Sequence, residues 1–236
     1  MNELHQKLLE LVKKEAIQNP TVSKLPPGYG GSREKDYPLS NPQLRVIVRD
    51  WLKKQPDLNY NQFITLLNSL YSQSKTATEK YLAGFLLEYL PKLRQQVEPP
   101  MFGKWLDFLT GWAQIDSLCQ SKFSAAEMLT KWLVWESLIK GFSQSKSISK
   151  RRASLVLLTG PVRGSSEKKF VDLGLENINR LKTEKEILIT KAISWLLREM
   201  IKNHQSRVMT FLAQNEASLP KIAVRETKRK LATGKK

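Results

Sequence analysis

The stretch GWAQIDSL, residues 111 to 118, sets a tryptophan beside an acid. Trp112 and Asp116 are four residues apart, so on a helix they share one face. Ile115, Leu118 and Cys119 make the rest of that helix apolar, and the next cation, Lys122, stands six residues beyond the acid. A carboxylate in that setting could stabilise a developing positive charge or orient a water molecule. The plainer alternative is a half-buried aromatic and a helix-surface acid. A second constellation surrounds Trp195 in ITKAISWLLREM, with Lys191 four residues before it and Arg198 three after. An aromatic between two cations suits a nucleotide base or sugar; the alternative is a core tryptophan. Ile187, Ala192, Leu196 and Met200 can supply the core stripe of that helix in either case.

Phosphate chemistry is suggested further back. Residues 140 to 163 contain Lys140, Lys146, Lys150, Arg151, Arg152 and Arg163 and no acid. Within them, SKRRAS falls at a loop-to-helix junction. Paired arginines and a helix N-terminus with free N–H groups suit a phosphate oxygen, although isolated lysines elsewhere read as solvated helix faces.

Other chemistries lack their residues. One cysteine and two histidines, His5 and His204, nearly 200 residues apart, leave no disulfide framework, no cysteine-based metal site and no company for a Ser-His nucleophile. There is no Walker A motif and no G-x-G-x-x-G. LTGPVRG follows a helical pattern and lacks the P-loop lysine, and no strand precedes the glycine-rich GYGGS at 28–32. No metal and no cofactor is expected. The N-terminus MNELHQKLLELVKKEA is amphipathic without an apolar h-region, and no run of about 18 apolar residues exists, so we expect a cytoplasmic chain without a membrane segment.

The elements that must hold these residues are helices. No segment alternates with period two. A first helix is expected over 2–18, then a Pro/Gly/Ser-rich loop over 19–42, with Asn41 capping and Pro42 at the first helical position of NPQLRVIVRDWLKK. Thr110 is placed to cap the helix carrying Asp116. Capping-box patterns at Thr76/Glu79, Ser124/Glu127 and Thr183/Glu186 open three further helices. The last helix is expected over 218–232, before a basic tail at 233–236. Helices of about 10 to 18 residues in successive hairpins, with loose 40-residue spacing, predict an all-α, HEAT-like α-α superhelix. Residues 1–236 would form a single repeat domain with a concave basic face. With 41% apolar residues the chain can bury a substantial core, and 39 Lys+Arg against 22 Asp+Glu leave +17, a charge that attracts polyanions, nucleic acid first.

Taken in order, GWAQIDSL, SKRRASLVLL, KAISWLLREMIKN and LPKIAVRETKRKL resemble the AlkD-type DNA alkylation repair proteins, which are HEAT-like-repeat DNA glycosylases. LSNPQLRVIVRDW is similar to that family's early helix, and the resemblance spans about 26–232. It implies removal of cationic N3- and N7-alkylpurines from alkylated duplex DNA, by a monomer, without metal or membrane. Asp116 would be the catalytic acid, and Trp112 and Trp195 the cleft tryptophans. Arg198 and one of Arg151 and Arg152 would contact the DNA backbone, with Lys191 beside them. Ser40 and Asn41 would meet a phosphate from a helix N-terminus, and Tyr29 would match an early aromatic. The chain departs from the family in having Gly-Trp-Ala where an aromatic-rich run is usual, and Ile187 and Leu188 where aromatics often precede KAI; substrate range is what these changes touch. The competing expectation is a HEAT-like protein that grips DNA without catalysis.

Overall fold

The structure, a computed structural model, describes residues 1–22, 26 and 28–234. Among them are thirteen α-helices and no strand, as the all-α expectation requires. The chain divides into two compact units, Met1–Ser121 and Lys122–Lys236. Lys235 and Lys236 of the expected tail lie outside the described residues, as do parts of the 19–42 loop.

In the first unit α1 (Glu3–Gln18), α2 (Asn41–Lys53) and α3 (Tyr60–Ser72) pack near α4 (Ala77–Tyr89); the short α5 (Pro91–Arg94) and α6 (Pro100–Leu106) lead to α7 (Gly111–Cys119). Helix α4 is the centre of the unit. It is buried from Ala77 to Leu87 except at Tyr81, the signature of a helix covered on nearly every side. Its start is held by one carboxylate. Glu79 Oε2 accepts from the Lys75 and Thr76 amides and the Thr76 hydroxyl, closing the expected capping box, while Oε1 meets His5 Nε2 of α1 at 2.9 Å. Buried Lys80 pairs with Glu34 and donates to the Phe108 carbonyl, so the two buried charges of the first turn of α4 are matched. Gly84 sets how near α7 comes: a Cβ there would lie 2.2 Å from Ser117 Oγ and 2.7 Å from Ser117 O.

In the second unit α8 (Ala125–Thr130) and α9 (Trp132–Ser143) precede α10 (Ile148–Gly164), which packs on α9, α11 (Lys168–Leu181) and α12 (Ile187–Asn215); α13 (Lys221–Thr233) covers α12. Helix α10 is buried from Arg152 to Thr159, and Ser147 caps it by accepting from the Lys150 amide. Helix α12 is interrupted at His204 (φ −138°, ψ 34°). The imidazole there meets the Ser165 carbonyl at 3.2 Å, and burial lowers its pKa.

Local readings fare unevenly. The Ser124/Glu127 box forms. At α2 the cap is Ser40, not Asn41: Ser40 and Gln43 make a reciprocal box, and Asn41 and Pro42 become the first two helical residues. Thr110 stands at the cap of α7 but makes no capping bond; its hydroxyl meets Ser32 at 3.0 Å. The Thr183/Glu186 box does not form. Glu184 N donates to Leu181 O in the turn closing α11, so Glu186 itself caps α12 by accepting from the Leu188 amide. That later start leaves Ile187 53% exposed, outside the core stripe, while Ala192, Leu196 and Met200 are buried.

Candidate functional site

Of the six tryptophans, Trp51, Trp105, Trp132 and Trp135 are buried, whereas Trp112 and Trp195 are only partly so. The two with accessible rings are the two whose helix neighbours suggested chemistry. Each is also held by its indole N–H, so the orientation of its π face is set by the fold.

In the first unit, Trp112 Nε1–H donates to the Tyr29 carbonyl at 2.8 Å, and the Tyr29 ring meets the indole edge-on at 5.7 Å. The GYGGS loop delivers that carbonyl. Gly31 and Gly111 both adopt positive φ, +79° and +73°, and pass so closely that a Cβ on Gly111 would lie 2.3 Å from Gly31 C. The Ala113 amide closes the contact by donating to Gly30 O at 3.2 Å. The missing side chain of Gly111 is therefore what admits the loop. No motif reading of GYGGS revealed this; a second glycine beside Trp112 was the available signal.

Helix α7 buries Ile115, Leu118 and Cys119 as its apolar pattern demands, and leaves Asp116 partly exposed one turn beyond Trp112. Asp116 is not without a partner in the fold, so its isolation was a property of the helix sequence alone. A cavity of about 1020 Å³ in this unit is lined by Tyr29, Asn41, Arg45, Tyr81, Phe85 and Trp112 among others, with Asp116 not among its lining residues. It brings together three of the expected contact residues, Tyr29, Asn41 and Trp112. Arg45 lies 4.3 Å from the centre of the Phe85 ring and pairs with Glu88 at 2.8 Å. Burial, followed by the charges of Asp36 and Glu34, pushes the Tyr81 phenol up to about 12. Arg33, Lys35 and Arg45 stand against Glu34, Asp36 and Glu88 in this lining, so its formal charges balance, and the aromatic walls suit a flat or cationic group. Asn41 is exposed at the first turn of α2, while Ser40 is engaged in its capping box.

In the second unit, Lys191, Trp195 and Arg198 follow one another along α12, Lys191 exposed and the other two half-buried. Trp195 Nε1–H donates to Glu199 Oε1 at 3.1 Å. Arg198 donates to the Ser194 carbonyl and pairs with Glu226 at 3.3 Å; the same carboxylate accepts from the Ser194 hydroxyl at 2.6 Å. The two arginines of SKRRAS part company. Arg151 is partly exposed, donating to the Ser145 and Lys146 carbonyls and to Glu184. Arg152 is 5% exposed and its guanidinium donates to the Leu188 carbonyl at 2.6 Å, tying α10 to the start of α12. Residue types alone could not separate them, since adjacent helical residues face directions about 100° apart. Glu199 and Glu226, which organise Trp195 and Arg198, stand in no motif of the sequence that marks them. Among the described residues no His, Cys, Asp and Glu gather in threes that could hold a metal ion, and no helix is long and apolar enough to cross a membrane.

The family model described as DNA alkylation repair enzyme matches residues 14–231. A solved structure, "Predicted DNA alkylation repair enzyme from Enterococcus faecalis", shares the fold with a TM-score of 0.68 at 18% identity, covering 98% of this chain and 96% of its own. No curated protein matches the chain.

Proposed function

Because the chain belongs to the DNA alkylation repair enzyme family, we propose that it is a monofunctional DNA glycosylase that excises cationic N3- and N7-alkylated purines from duplex DNA. The observation that supports this reading is the partial exposure of Trp112 and Trp195, with Asp116 half-open one turn beyond Trp112 on the partly exposed face of α7.

The chemistry follows from the charge of the lesion. An alkylated purine is already cationic and leaves as a neutral base. Breaking its glycosidic bond builds oxocarbenium character on the deoxyribose. A carboxylate near C1′ stabilises that charge and orients the attacking water; we assign this to Asp116. Trp112 in the first unit and Trp195 in the second each offer a partly open ring face that attracts positive charge through its π system. An undamaged neutral base would gain less from such a site, so selectivity needs no base-shaped pocket. Lys191, Arg198 and the more accessible Arg151 are assigned to phosphates, as is the helix N-terminus at Ser40 and Asn41. The roles need no metal and no cofactor. DNA repair places the working protein inside the cell, and we take it to act as a monomer.

The test is release of 7-methylguanine and 3-methyladenine from methylated duplex DNA. Wild type should release them, and Asp116→Asn should lose about two to three orders of magnitude in rate while its DNA affinity changes little. If wild type bound duplex DNA and released neither base, the chain would be a DNA-gripping relative without this chemistry. If Asp116→Asn excised at the wild-type rate, the acid would be misassigned.

A further inference from the structure

We infer that Glu199 is a positioning residue for Trp195, aiming its indole and enriching the ring face that the proposed reaction uses. The inference rests on the glycosylase reading for its consequence, and on geometry for its substance.

Glu199 is 4% exposed. Burying a carboxylate is costly unless its oxygens are matched, and a glutamine or methionine would fill the same helical position without that cost. Here each oxygen has a use. Oε1 accepts the Trp195 indole N–H at 3.1 Å, one turn earlier on α12, and Oε2 lies 3.4 Å from Arg163 Nη1 on α10. The two helices are joined again just beyond, where Asn203 Nδ2 donates to the Val162 and Arg163 carbonyls at 3.1 and 2.8 Å. Glu199 therefore stands on a braced part of the unit, and the indole it holds is fixed relative to that frame.

The acceptor's charge matters as well as its position. A carboxylate accepting from an indole N–H is a charge-assisted bond, and it polarises the ring toward greater electron density. That strengthens the attraction of the π face for a cation. Trp112 differs: its N–H meets a neutral backbone carbonyl, that of Tyr29. Buried Trp105 likewise donates to a neutral group, Asn68 Oδ1 at 2.8 Å. Trp195 is thus the partly exposed tryptophan whose indole is held by a formal negative charge, and the one sitting among the cations Lys191 and Arg198.

The experiment compares Glu199→Gln, Glu199→Ala and wild type in two measurements. The first is the indole N–H resonance of Trp195 in proton–nitrogen correlation spectra, assigned by its disappearance in Trp195→Phe. The second is single-turnover excision of 7-methylguanine at saturating protein, beside DNA affinity. Glu199→Gln keeps shape and an amide oxygen but removes the charge. Its indole proton should move upfield, and excision should slow by about tenfold with affinity within about twofold. Glu199→Ala should slow excision further, toward Trp195→Phe, and Trp195→Phe should make Glu199→Gln silent. An unmoved resonance, or an unchanged rate in an active enzyme, would overturn the inference. Should Glu199→Ala fail to fold, Glu199→Gln alone decides. Should wild type excise nothing, the glycosylase reading fails by itself, and the resonance shift still decides whether Glu199 holds the indole.

Discussion

Gly111 is the residue on which the first unit's site turns. Its φ of +73° lies in the left-handed region, and its missing Cβ is the space occupied by the Gly30–Gly31 backbone. An alanine there meets backbone rather than a movable side chain, so the loop itself must shift. Gly111→Ala should then lower stability by about 1–3 kcal/mol, the usual strain of a misplaced backbone conformation. Excision should fall more than DNA affinity, because the Tyr29 carbonyl leaves the Trp112 indole. Thermal unfolding together with single-turnover kinetics checks both halves; a variant with wild-type stability and rate would show that the loop has no part in holding Trp112.

At the scale of elements, α1 and α4 are joined through the buried His5–Glu79 contact, with Ser69 of α3 at 2.9 Å from the other imidazole nitrogen. Burial tends to raise the Glu79 carboxyl, but the bonds from His5, Thr76 and the Lys75 amide outweigh it and hold the group below its ordinary 4.5. A folded value below the unfolded one means that the unfolded chain binds the proton more readily. The stabilisation is therefore complete above about pH 4.5 and is lost as pH falls through the lowered folded value. Melting temperatures followed down through this range should drop more steeply for wild type than for Glu79→Gln, which lacks the titrating group. Asp36, raised by burial, pulls the other way, and is common to both proteins. Parallel curves would show that Glu79 does not contribute to acid sensitivity.

For the whole molecule the governing quantity is the net charge of +17. Binding to duplex DNA by such a chain should weaken steeply with salt, with a log–log slope of about −0.9 per phosphate neutralised. The arginine pair divides this prediction. Arg151→Ala should reduce the slope by about one, as loss of a phosphate contact does. Arg152→Ala should leave the slope unchanged and lower the melting temperature, because it removes a buried bond that ties α10 to the start of α12. Anisotropy titrations at several salt concentrations distinguish the two; a slope change confined to Arg152→Ala would reverse the assignment.

The helices, the capping boxes at Thr76 and Ser124, and the sharing of one helical face by Trp112 and Asp116 were set by sequence alone. Helical periodicity and the Ser/Thr-x-x-Glu pattern act within one or two turns, and need nothing from the rest of the chain. Where a neighbouring turn competes for the same backbone groups, as at Thr183, the local pattern was overruled. The +17 balance pointed at a polyanion in the same direct way. What only tertiary structure decided is burial and partnership between distant residues. It separated two partly exposed tryptophans from four buried ones, and Arg151 from Arg152. It turned Glu199 from a helix acid into the holder of Trp195, and GYGGS from a failed phosphate motif into the support of Trp112. Each of those outcomes depends on which surfaces meet across tens of residues, and residue type and spacing within a helix carry no record of that.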